Sequence, residues 1–246
     1  YSQIRTYFPL NFHTSKLPEN SFKVLSYNIM GFDGAVKKDG ENLILNYLKN
    51  SGADILCLQE YQTIESPRYL SQKDVEKALK DYPYHNIQIV GRGSGKGHTN
   101  RIACYSKFPI LSSRTLDYAS EYNGSVVYEL KMGEDTVMLI NNHLESNKLT
   151  KEDKEIAASR YPYIIVCGDF NDTPISYAHR VIEKGLNDAF TKSGRGLGIS
   201  YNQNKFYFRI DNILASKNLK PYNCTVDRSI KESDHYPIWC YLKKKD

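Results

Sequence analysis

The chain has 246 residues, is 40% hydrophobic and 25% charged, and carries a formal net charge of +5. Its length suits one globular domain, or two small ones, that buries enough surface to need no disulfide support. It contains no run of about 18 apolar residues, which excludes a membrane-spanning helix within this sequence. The weak positive charge, partly located in the lysines at 243–245, mildly favours nucleic acid or anionic lipid headgroups as partners.

The five cysteines are odd in number and form no Cys-x-x-Cys pair, which argues against a zinc knuckle. Cys57, Cys104, Cys167 and Cys240 lie within apolar runs, as buried free thiols do. Free thiols are compatible with the cytoplasm but do not establish it. The chain begins at Tyr1 instead of Met, so a removed signal or membrane anchor stays open, and the sequence assigns no compartment.

The first 21 residues include Pro9 and Pro18 and are expected to form an irregular N-terminal extension. Residues 22–246 are expected to form a single domain, because no linker or internal repeat divides them. Hydrophobic periodicity predicts strands and helices in the first part of this domain. The strands are residues 22–28, 54–60, 84–90, 102–106, 111–116, 125–131 and 136–142, and the helices are residues 42–50 and 73–80.

The glycine-rich residues 91–99 lack the order and spacing of a nucleotide-binding P-loop. We expect a mobile loop there, and a lid that contacts phosphate is the lesser alternative. In the second part of the chain, helices are predicted at residues 149–160 and 176–184, and strands at 163–167, 206–215 and 236–242. Strands outnumber helices and are joined by short turns, which favours a mixed or antiparallel layered sheet over a parallel βαβ fold.

Polar side chains collect where the apolar strands end. Four strands end in Asn28, in Glu60, in His143, and in Asp169 with Asn171, and the last strand begins after Asp234 and His235. If the last strand runs opposite to the other four, these groups meet at one edge of the sheets. Their oxygen-rich chemistry suits Mg²⁺ or Mn²⁺ better than zinc. Asp211, set among apolar residues, needs a partner, and an Asp211–His235 pair would prepare a catalytic histidine.

Each of these residues also has an ordinary explanation. A glutamate after a strand is usually solvated, Asn28 suits a turn, and His143 and His235 suit a surface or core position. Five such coincidences at strand ends are much rarer than one, so we favour a shared site. The sequence contains no Gly-x-Ser-x-Gly elbow and no cysteine with neighbours that would activate its thiol.

Six short motifs carry a resemblance to a known family. They are Ser-Tyr-Asn at 26–28, Leu-Gln-Glu at 58–60, Asn-His-Leu-Glu-Ser at 142–146, Gly-Asp-Phe-Asn-Asp at 168–172, Arg-Ile-Asp at 209–211 and Ser-Asp-His-Tyr-Pro-Ile at 233–238. In this order and spacing they resemble the endonuclease/exonuclease/phosphatase superfamily over residues 22–242. That superfamily includes abasic-site endonucleases, deoxyribonucleases of the pancreatic type, deadenylases, neutral sphingomyelinases, inositol-polyphosphate 5-phosphatases and the 5′-tyrosyl-DNA phosphodiesterase.

The resemblance implies a fold, a chemistry and a role for each motif residue. The fold is an α/β structure of the α+β type, a four-layered sandwich in which two mostly antiparallel mixed sheets pack face to face with helices outside. The chemistry is hydrolysis of a phosphoester that depends on Mg²⁺ or Mn²⁺. The implied metal ligands are Glu60, as the principal one, with Asn28 and Asp234 close by.

The resemblance also implies the catalytic residues. Asp169 and Asn171 orient the attacking water and the scissile phosphate, and His143 hydrogen-bonds the phosphoryl oxygens. His235, held by Asp211, is the catalytic histidine. Whether Asp169 or His235 accepts the proton of the water stays open.

The substrate is the least determined part of the prediction. Nucleic acid is favoured, through a nuclease or DNA-repair activity, because His-Leu-Glu-Ser at 143–146 is similar to the tyrosyl-DNA phosphodiesterase branch. The alternative is a phosphatase or phospholipase-type hydrolase of inositol phosphates or sphingolipid headgroups. A non-catalytic binding module of the same fold is disfavoured because every expected catalytic position is filled. We expect a monomer.

The loops at 91–99, 118–124 and 193–204 would decide between these substrates. The candidates for phosphate contact are Arg92, Lys96, Arg101, Arg195 and Arg209, each of which is by default a surface charge. The aromatic run at 206–208 offers a surface on which a base could stack, but we expect it to belong to the strand core. Only 25 residues lie between His143 and Asp169, fewer than is usual in the family, which leaves the substrate-facing structure near 155–157 open.

Overall fold

The computed structural model describes residues 2–91, 100–116, 120–145, 161–201, 203 and 207–245. Its first sheet contains six strands, of which the central pair, β1 and β2, is parallel and the other pairs are antiparallel. In spatial order the strands are β11 (Leu219–Val226), β12 (Ile238–Lys244), β1 (Phe22–Asn28), β2 (Ile55–Gln59), β4 (Asn100–Ser106) and β3 (Tyr84–Val90).

The second sheet repeats this pattern of pairing. Its strands in spatial order are β5 (Ile110–Leu116), β6 (Gly124–Met132), β7 (Asp135–His143), β8 (Tyr163–Asp169), β10 (Asp211–Ser216) and β9 (Leu186–Asp188). Here β7 and β8 form the central parallel pair, and the other pairs are antiparallel. Both sheets therefore bring the carboxyl ends of two neighbouring central strands to one edge, which is where the polar residues lie.

The two sheets pack face to face around one core. Because side chains alternate along a strand, every second residue faces the opposite sheet. Val24, Ile55, Leu139 and Ile165 belong to this inner core and are fully buried. Burial of each such side chain stabilises the fold by about 1.5–3 kcal/mol. All five cysteines are buried free thiols, as predicted for four of them.

Short helices lie outside the sheets. They are α1 (Ser2–Tyr7), α2 (Met30–Gly34), α3 (Leu43–Asn50), α4 (Gln72–Ala78), α5 (Tyr177–Glu183) and α6 (Ala189–Ser193), of which α2 is a left-handed turn and not a regular α-helix. Apolar side chains of α3 and α4 pack with those on the outer face of the first sheet, and Ile182 of α5 packs on the outer face of the second. This arrangement confirms the predicted four-layered sandwich. No helix within these described ranges is long and apolar enough to cross a membrane.

Helix starts follow the side chains that cap them. Asn42 precedes α3 and accepts the N–H of Leu45 at 2.9 Å. Ser71 and Asp74 form a capping box at the start of α4. Such caps replace the hydrogen bonds that the first turn of a helix lacks, and each is worth about 1 kcal/mol.

Two strand predictions are corrected. The strand expected at 206–215 begins only at Asp211, because Ser200 Oγ accepts the N–H groups of Ile210 and Asp211 and holds the preceding segment as a loop. Tyr207 and Phe208 are 60% and 37% exposed, so their assignment to the strand core was wrong. The strand expected at 236–242 is Ile238–Lys244 and starts after Pro237, which has no N–H to donate.

Some helices and strands were not predicted, and some predictions fall on residues outside the described ranges. The extension expected to be irregular contains α1, and the short β9, α2 and α6 carry weak periodicity. The edge strand β11 contains Pro221 and Asn223, which are unfavourable strand residues. The helix predicted at 149–160, the segment near 155–157 and most of the loop at 91–99 lie outside the described residues, as does Phe206.

Candidate active site

Asn28 lies at the end of β1 between two carboxylates. Its Nδ2 donates to Glu60 Oε1 at 2.9 Å and to Asp169 Oδ2 at 3.2 Å. Its Oδ1 accepts the backbone N–H of Met30 at 3.2 Å. In this orientation the amide nitrogen faces the two carboxylates, and a nitrogen that carries hydrogens cannot bind a cation. Asn28 therefore lies between Glu60 and Asp169 and sets the distance between them. A role as metal ligand would require the amide to turn over.

The backbone beside these residues is strained. Six consecutive residues, from Met30 to Ala35, have positive φ angles between 45° and 65°, and Glu60 has φ of 51°. Left-handed conformation costs roughly 1–2 kcal/mol for a residue other than glycine. The turn is held by Gly31, whose N–H donates to the carbonyl of Glu60 at 2.9 Å, and by Asn42, which donates to Phe32 O at 2.8 Å. Such strain is concentrated at functional sites.

Asp211, His235 and Asp169 form a buried relay. His235 Nδ1 lies 2.8 Å from Asp211 Oδ2, and its Nε2 lies 3.6 Å from Asp169 Oδ2. The register of β8 and β10 places Asp211 directly opposite Asp169. Burial lowers the pKa of His235, but the carboxylates of Asp211 and Asp169 outweigh that effect and raise the pKa to about 10. Burial raises the pKa of Asp169 above its usual range.

His143 ends β7 and faces the same carboxylates. Its Nε2 lies 3.5 Å from Glu60 Oε1 and 3.7 Å from Asp169 Oδ2. Its Nδ1 lies 3.0 Å from Asn100 Nδ2, which requires Nδ1 to accept and Nε2 to carry the ring proton when His143 is neutral. The imidazole therefore presents an N–H to the interior of the cleft.

The turn after β8 fixes Asp169. Asn171, with φ of 49°, donates its backbone N–H to Asp169 Oδ1 at 2.8 Å and its amide Nδ2 to Leu144 O at 2.9 Å. Gly168 has φ of 127°, and a Cβ there would lie 2.0 Å from Asn142 O. Only glycine therefore lets β8 approach β7 closely enough to set Asp169 beside His143.

Asp234 lies at the rim of the site. The preceding Ser233 donates its Oγ–H to Asn28 O at 2.8 Å, which ties the loop before β12 to the end of β1. Asp234 lines a cleft of about 630 Å³ together with Met30 and Tyr201. A second cleft, of about 300 Å³, contains Glu60 and Asn100, and Met30 lines it as well.

The donor set fits a hard divalent cation. Asp169 and Asp211 bring carboxylate oxygens within 4.8 Å of each other and of a ring nitrogen of His235, and the protonated His235 serves there as a hydrogen-bond donor and not as a ligand. Asp211 Oδ1 is buried and has no hydrogen-bond partner among the residues that the structure describes. The side chain of Glu60 is 37% exposed and opens to the cleft. Close carboxylates repel one another, and carboxylate oxygens are what Mg²⁺ and Mn²⁺ prefer.

The structure thus gathers the predicted catalytic residues and metal ligands at one edge, but not the predicted phosphate contacts. Arg195 lies on the loop after α6 and pairs with Leu10, and Arg92 and Lys96 lie outside the described residues. Arg209 is buried and donates to Asp188 Oδ2 at 2.7 Å and to Asn212 Oδ1 at 2.6 Å, so it stabilises the fold and is not placed to bind substrate. Arg101 alternates with Asn100 along β4, so its side chain lies on the face opposite to the one that carries Asn100.

Sequence reasoning missed several residues that shape the site. They are Asn100, Ser200, Tyr201, Ser233 and the buried pair Gln59 and Asn141. Gln59 immediately precedes Glu60, and Asn141 stands two residues before His143 on the same face of β7. Counting back in twos from a site residue would have pointed to Asn141. Asn100 and Ser200 depend on contacts between distant segments and leave no local signal.

Comparison with known proteins identifies the family. The profile of the Endonuclease/Exonuclease/phosphatase family matches residues 25–235. The chain belongs to this family. It is 24% identical to a DNA-(apurinic or apyrimidinic site) endonuclease of Dictyostelium discoideum over 279 aligned positions, which cover 93% of this chain and 72% of that protein. Family membership makes the protein a phosphoester hydrolase.

Solved structures of this family share the fold. TDP2 from Caenorhabditis elegans matches with a TM-score of 0.66 and 22% identity, over 94% of this chain and 76% of that one. A mannosyl-6-phosphatase of Bacteroides thetaiotaomicron matches with a TM-score of 0.65 and 20% identity, over 91% and 100% of the two chains. At this identity the likeness establishes the sandwich and not the substrate.

Proposed function

We propose that the protein is a Mg²⁺- or Mn²⁺-dependent phosphodiesterase whose substrate is nucleic acid. The observation that carries the proposal is the meeting of Glu60, Asp169, His143 and His235 at one sheet edge, with the distances given above. Phosphodiesters resist attack because their negative charge repels the nucleophile. A bound divalent cation would act as a Lewis acid, and the chain's own residues would supply positioning and proton transfer.

In the proposed mechanism each residue acts at a stated atom. Asp169 Oδ2, fixed by Asn171 and Asn28, orients the attacking water and accepts its proton. We assign this step to Asp169 because the raised pKa of His235 keeps that imidazole protonated near neutral pH. The N–H groups of His235 and His143 then stabilise the charge that develops on the phosphoryl oxygens.

Nucleic acid is the favoured substrate for three reasons. The Dictyostelium relative is an endonuclease that acts at apurinic or apyrimidinic sites, as its name states. The chain has a net charge of +5. Tyr207 and Phe208 expose their rings beside the loop that carries Tyr201, which suits stacking on a base. A phosphatase acting on a sugar or inositol phosphate is the alternative, because the mannosyl-6-phosphatase has the same fold.

A panel of substrates, each assayed with the same protein, tests this proposal. Bis-p-nitrophenyl phosphate, DNA with and without abasic sites, inositol phosphates and sphingomyelin are each assayed with Mg²⁺, with Mn²⁺ and with EDTA. Turnover of DNA that EDTA abolishes is the expected result, and Asp169→Asn is the inactive control. Faster turnover of inositol phosphates or sphingomyelin than of DNA would replace the nucleic-acid assignment. Full activity in EDTA would refute the metal dependence.

A further inference from the structure

An apolar surface is exposed on the N-terminal segment and on the loop that follows α6. It is formed by Ile4, Phe8, Leu10, Phe12 and Leu197, whose exposed fractions lie between 45% and 87%. We refer to these five residues as the docking surface. Single exposed apolar side chains are common, but a contiguous group of aromatic and aliphatic ones on a soluble domain marks a contact site.

Several contacts join the two segments into one surface. Leu10 and Arg195 form a β-bridge, and the N–H of Gly196 donates to Pro9 O at 2.9 Å. The amide of Asn11 donates to Gly194 O at 2.9 Å. The guanidinium of Arg195 lies 5.7 Å from the centre of the Phe12 ring. The apolar side chains are therefore presented by a bonded framework.

The N-terminal segment is also fastened to the first sheet. Thr14 donates its backbone N–H to Asn223 Oδ1 at 2.8 Å, and Asn223 returns a bond from Nδ2 to Thr14 O at 2.9 Å. Asn223 lies on β11. The docking surface is thus a fixed part of the domain, and Phe12 is held outward by bonds on both sides of it.

The two segments that form the docking surface carry only basic charges. Arg5, Lys16, Lys192 and Arg195 belong to its two segments, whereas residues 2–18 and 189–201 contain no aspartate or glutamate. Apolar side chains bordered by basic ones match the interface of a membrane, where the rings and aliphatic chains enter the acyl boundary and the cations meet anionic headgroups.

We propose that this surface docks the domain on an anionic lipid membrane. A nucleic acid would gain little from Ile4, Leu10 and Leu197, because aliphatic side chains do not stack on bases. A second copy of this chain would bring two sets of like charges together across a symmetric interface, which opposes association. A lipid bilayer accepts both the aliphatic and the aromatic side chains and attracts the four cations.

The docking surface is linked to the catalytic cleft by a single loop. That loop continues from Leu197 to Ser200, whose Oγ accepts the N–H of Asp211 at 3.0 Å. The next residue, Tyr201, places its ring 5.0 Å from that of His235. Docking would therefore engage a segment that continues into the cleft, whatever phosphoester the cleft binds.

Sedimentation with lipid vesicles tests the proposal without any turnover, so its result is independent of the proposed function. The chain is mixed with phosphatidylcholine vesicles with and without phosphatidylserine. We expect binding to the anionic vesicles that falls as salt rises. Phe12→Ser and Leu10→Ser should each weaken it about tenfold or more, and Arg5→Gln with Lys16→Gln should reduce the preference for phosphatidylserine about tenfold or more.

Matched controls lie on the opposite edges of the sheets. Ile89→Ser on β3 and Leu111→Ser on β5 remove apolar side chains that are 56% and 54% exposed, against 66% for Leu10, and these variants should bind like the unmodified chain. All variants should show the circular dichroism and the urea unfolding midpoint of the unmodified chain, which shows that they fold. The proposal is overturned if the unmodified chain does not bind anionic vesicles, or if Phe12→Ser binds them as tightly as the unmodified chain. It is also overturned if the effect of Phe12→Ser is instead the loss of a dimer or of DNA binding.

Discussion

Asp211 shows how a single buried carboxylate prepares the site. Its Oδ2 faces His235 Nδ1 at 2.8 Å, and a carboxylate can only accept, so Nδ1 carries a proton and Nε2 faces Asp169. The role expected from the Arg-Ile-Asp motif therefore has a geometric basis. Asp211 lies at the first position of β10, where strand pairing with Asp169 fixes its direction.

Asp211→Asn tests this relay. The amide can present its N–H to Nδ1, which would make Nδ1 an acceptor and leave a neutral imidazole with its only proton on Nε2, so His235 loses its positive charge. We expect turnover to fall about a hundredfold or more, with unchanged circular dichroism. Asp135→Asn, which removes a half-exposed carboxylate paired with Lys244, is the control. Equal rates for the two variants would contradict the assigned role.

A substitution at Glu60 tests the metal site. Glu60→Gln keeps the size of the side chain but removes its charge, so the metal concentration needed for half-maximal activity should rise about tenfold or more. Direct titration of Mn²⁺ by calorimetry gives a second reading that needs no substrate. Glu41→Gln, an exposed position on a turn, should leave both readings unchanged. An unaltered metal affinity in Glu60→Gln would exclude Glu60 as a ligand.

At the scale of elements, the inner face of each central strand changes from apolar to polar toward the site. Along β7 the inner row is Val137, Leu139, Asn141 and His143, and along β2 it is Ile55, Cys57 and Gln59. The inward-facing row of side chains, whose alternation predicts each strand, therefore leads from the apolar core into the site. Rigid, fully buried strands carry its groups, which suits a reaction that depends on positioning.

The bond between Gln59 and Asn141 joins the two sheets beneath the site. Gln59 Nε2 donates to Asn141 Oδ1 at 2.6 Å, and Asn141 Nδ2 donates to Ala103 O at 3.1 Å. Asn141 belongs to the second sheet, whereas its partners belong to the first. The bond therefore sets the spacing between Glu60, which follows Gln59, and His143.

Asn141→Leu should destabilise the protein by about 1–3 kcal/mol, because it leaves the amide of Gln59 and a backbone carbonyl buried without this partner. The double change Gln59→Leu and Asn141→Leu should recover much of that loss, since replacement of both partners by apolar groups is nearly neutral. Urea unfolding of both single variants and the double variant measures the coupling. Strictly additive effects would show that the two side chains do not act together.

Strands and helices could be predicted from the sequence where the pattern that specifies them lies within the segment itself. Strands with strong alternation, such as β1 and β3, and the capped helix α3 agree with their predicted positions. The left-handed turn after Asn28 was not predicted, because it depends on a bond from Gly31 to Glu60 across the site. Arg209 was assigned to the surface by its residue type, whereas its burial depends on Asp188, which is 21 positions away.

At the scale of the whole molecule, several buried polar side chains pack next to the turn that follows Asp169. Arg209 and Asp188 form an ion pair that is almost fully buried, and Asp188 also caps α6 by accepting the N–H of Phe190 at 2.9 Å. His179 of α5 packs against Phe170, the residue that follows Asp169, with ring centres 5.9 Å apart. Burial lowers the pKa of His179 to about 4.

This buried imidazole makes the fold sensitive to acid. His179 has a pKa of about 4 in the folded protein against 6.5 as the reference value, so the unfolded chain binds a proton that the folded chain excludes. Stability is therefore lost as the pH falls from about 6.5 to about 4, by roughly 3 kcal/mol in total at about 1.4 kcal/mol per pH unit.

His179→Leu removes the titrating group and should flatten this part of the pH profile. Urea unfolding between pH 7 and pH 4 gives the free energy of unfolding for each variant, and the difference between variants cancels the titration of the other groups. His13→Gln, on the exposed N-terminal segment, is the control and should keep the slope of the unmodified chain. A parallel profile for His179→Leu would show that the acid sensitivity arises elsewhere, for instance at the Asp188–Arg209 pair, where pairing with Arg209 overcomes the effect of burial and lowers the pKa of Asp188.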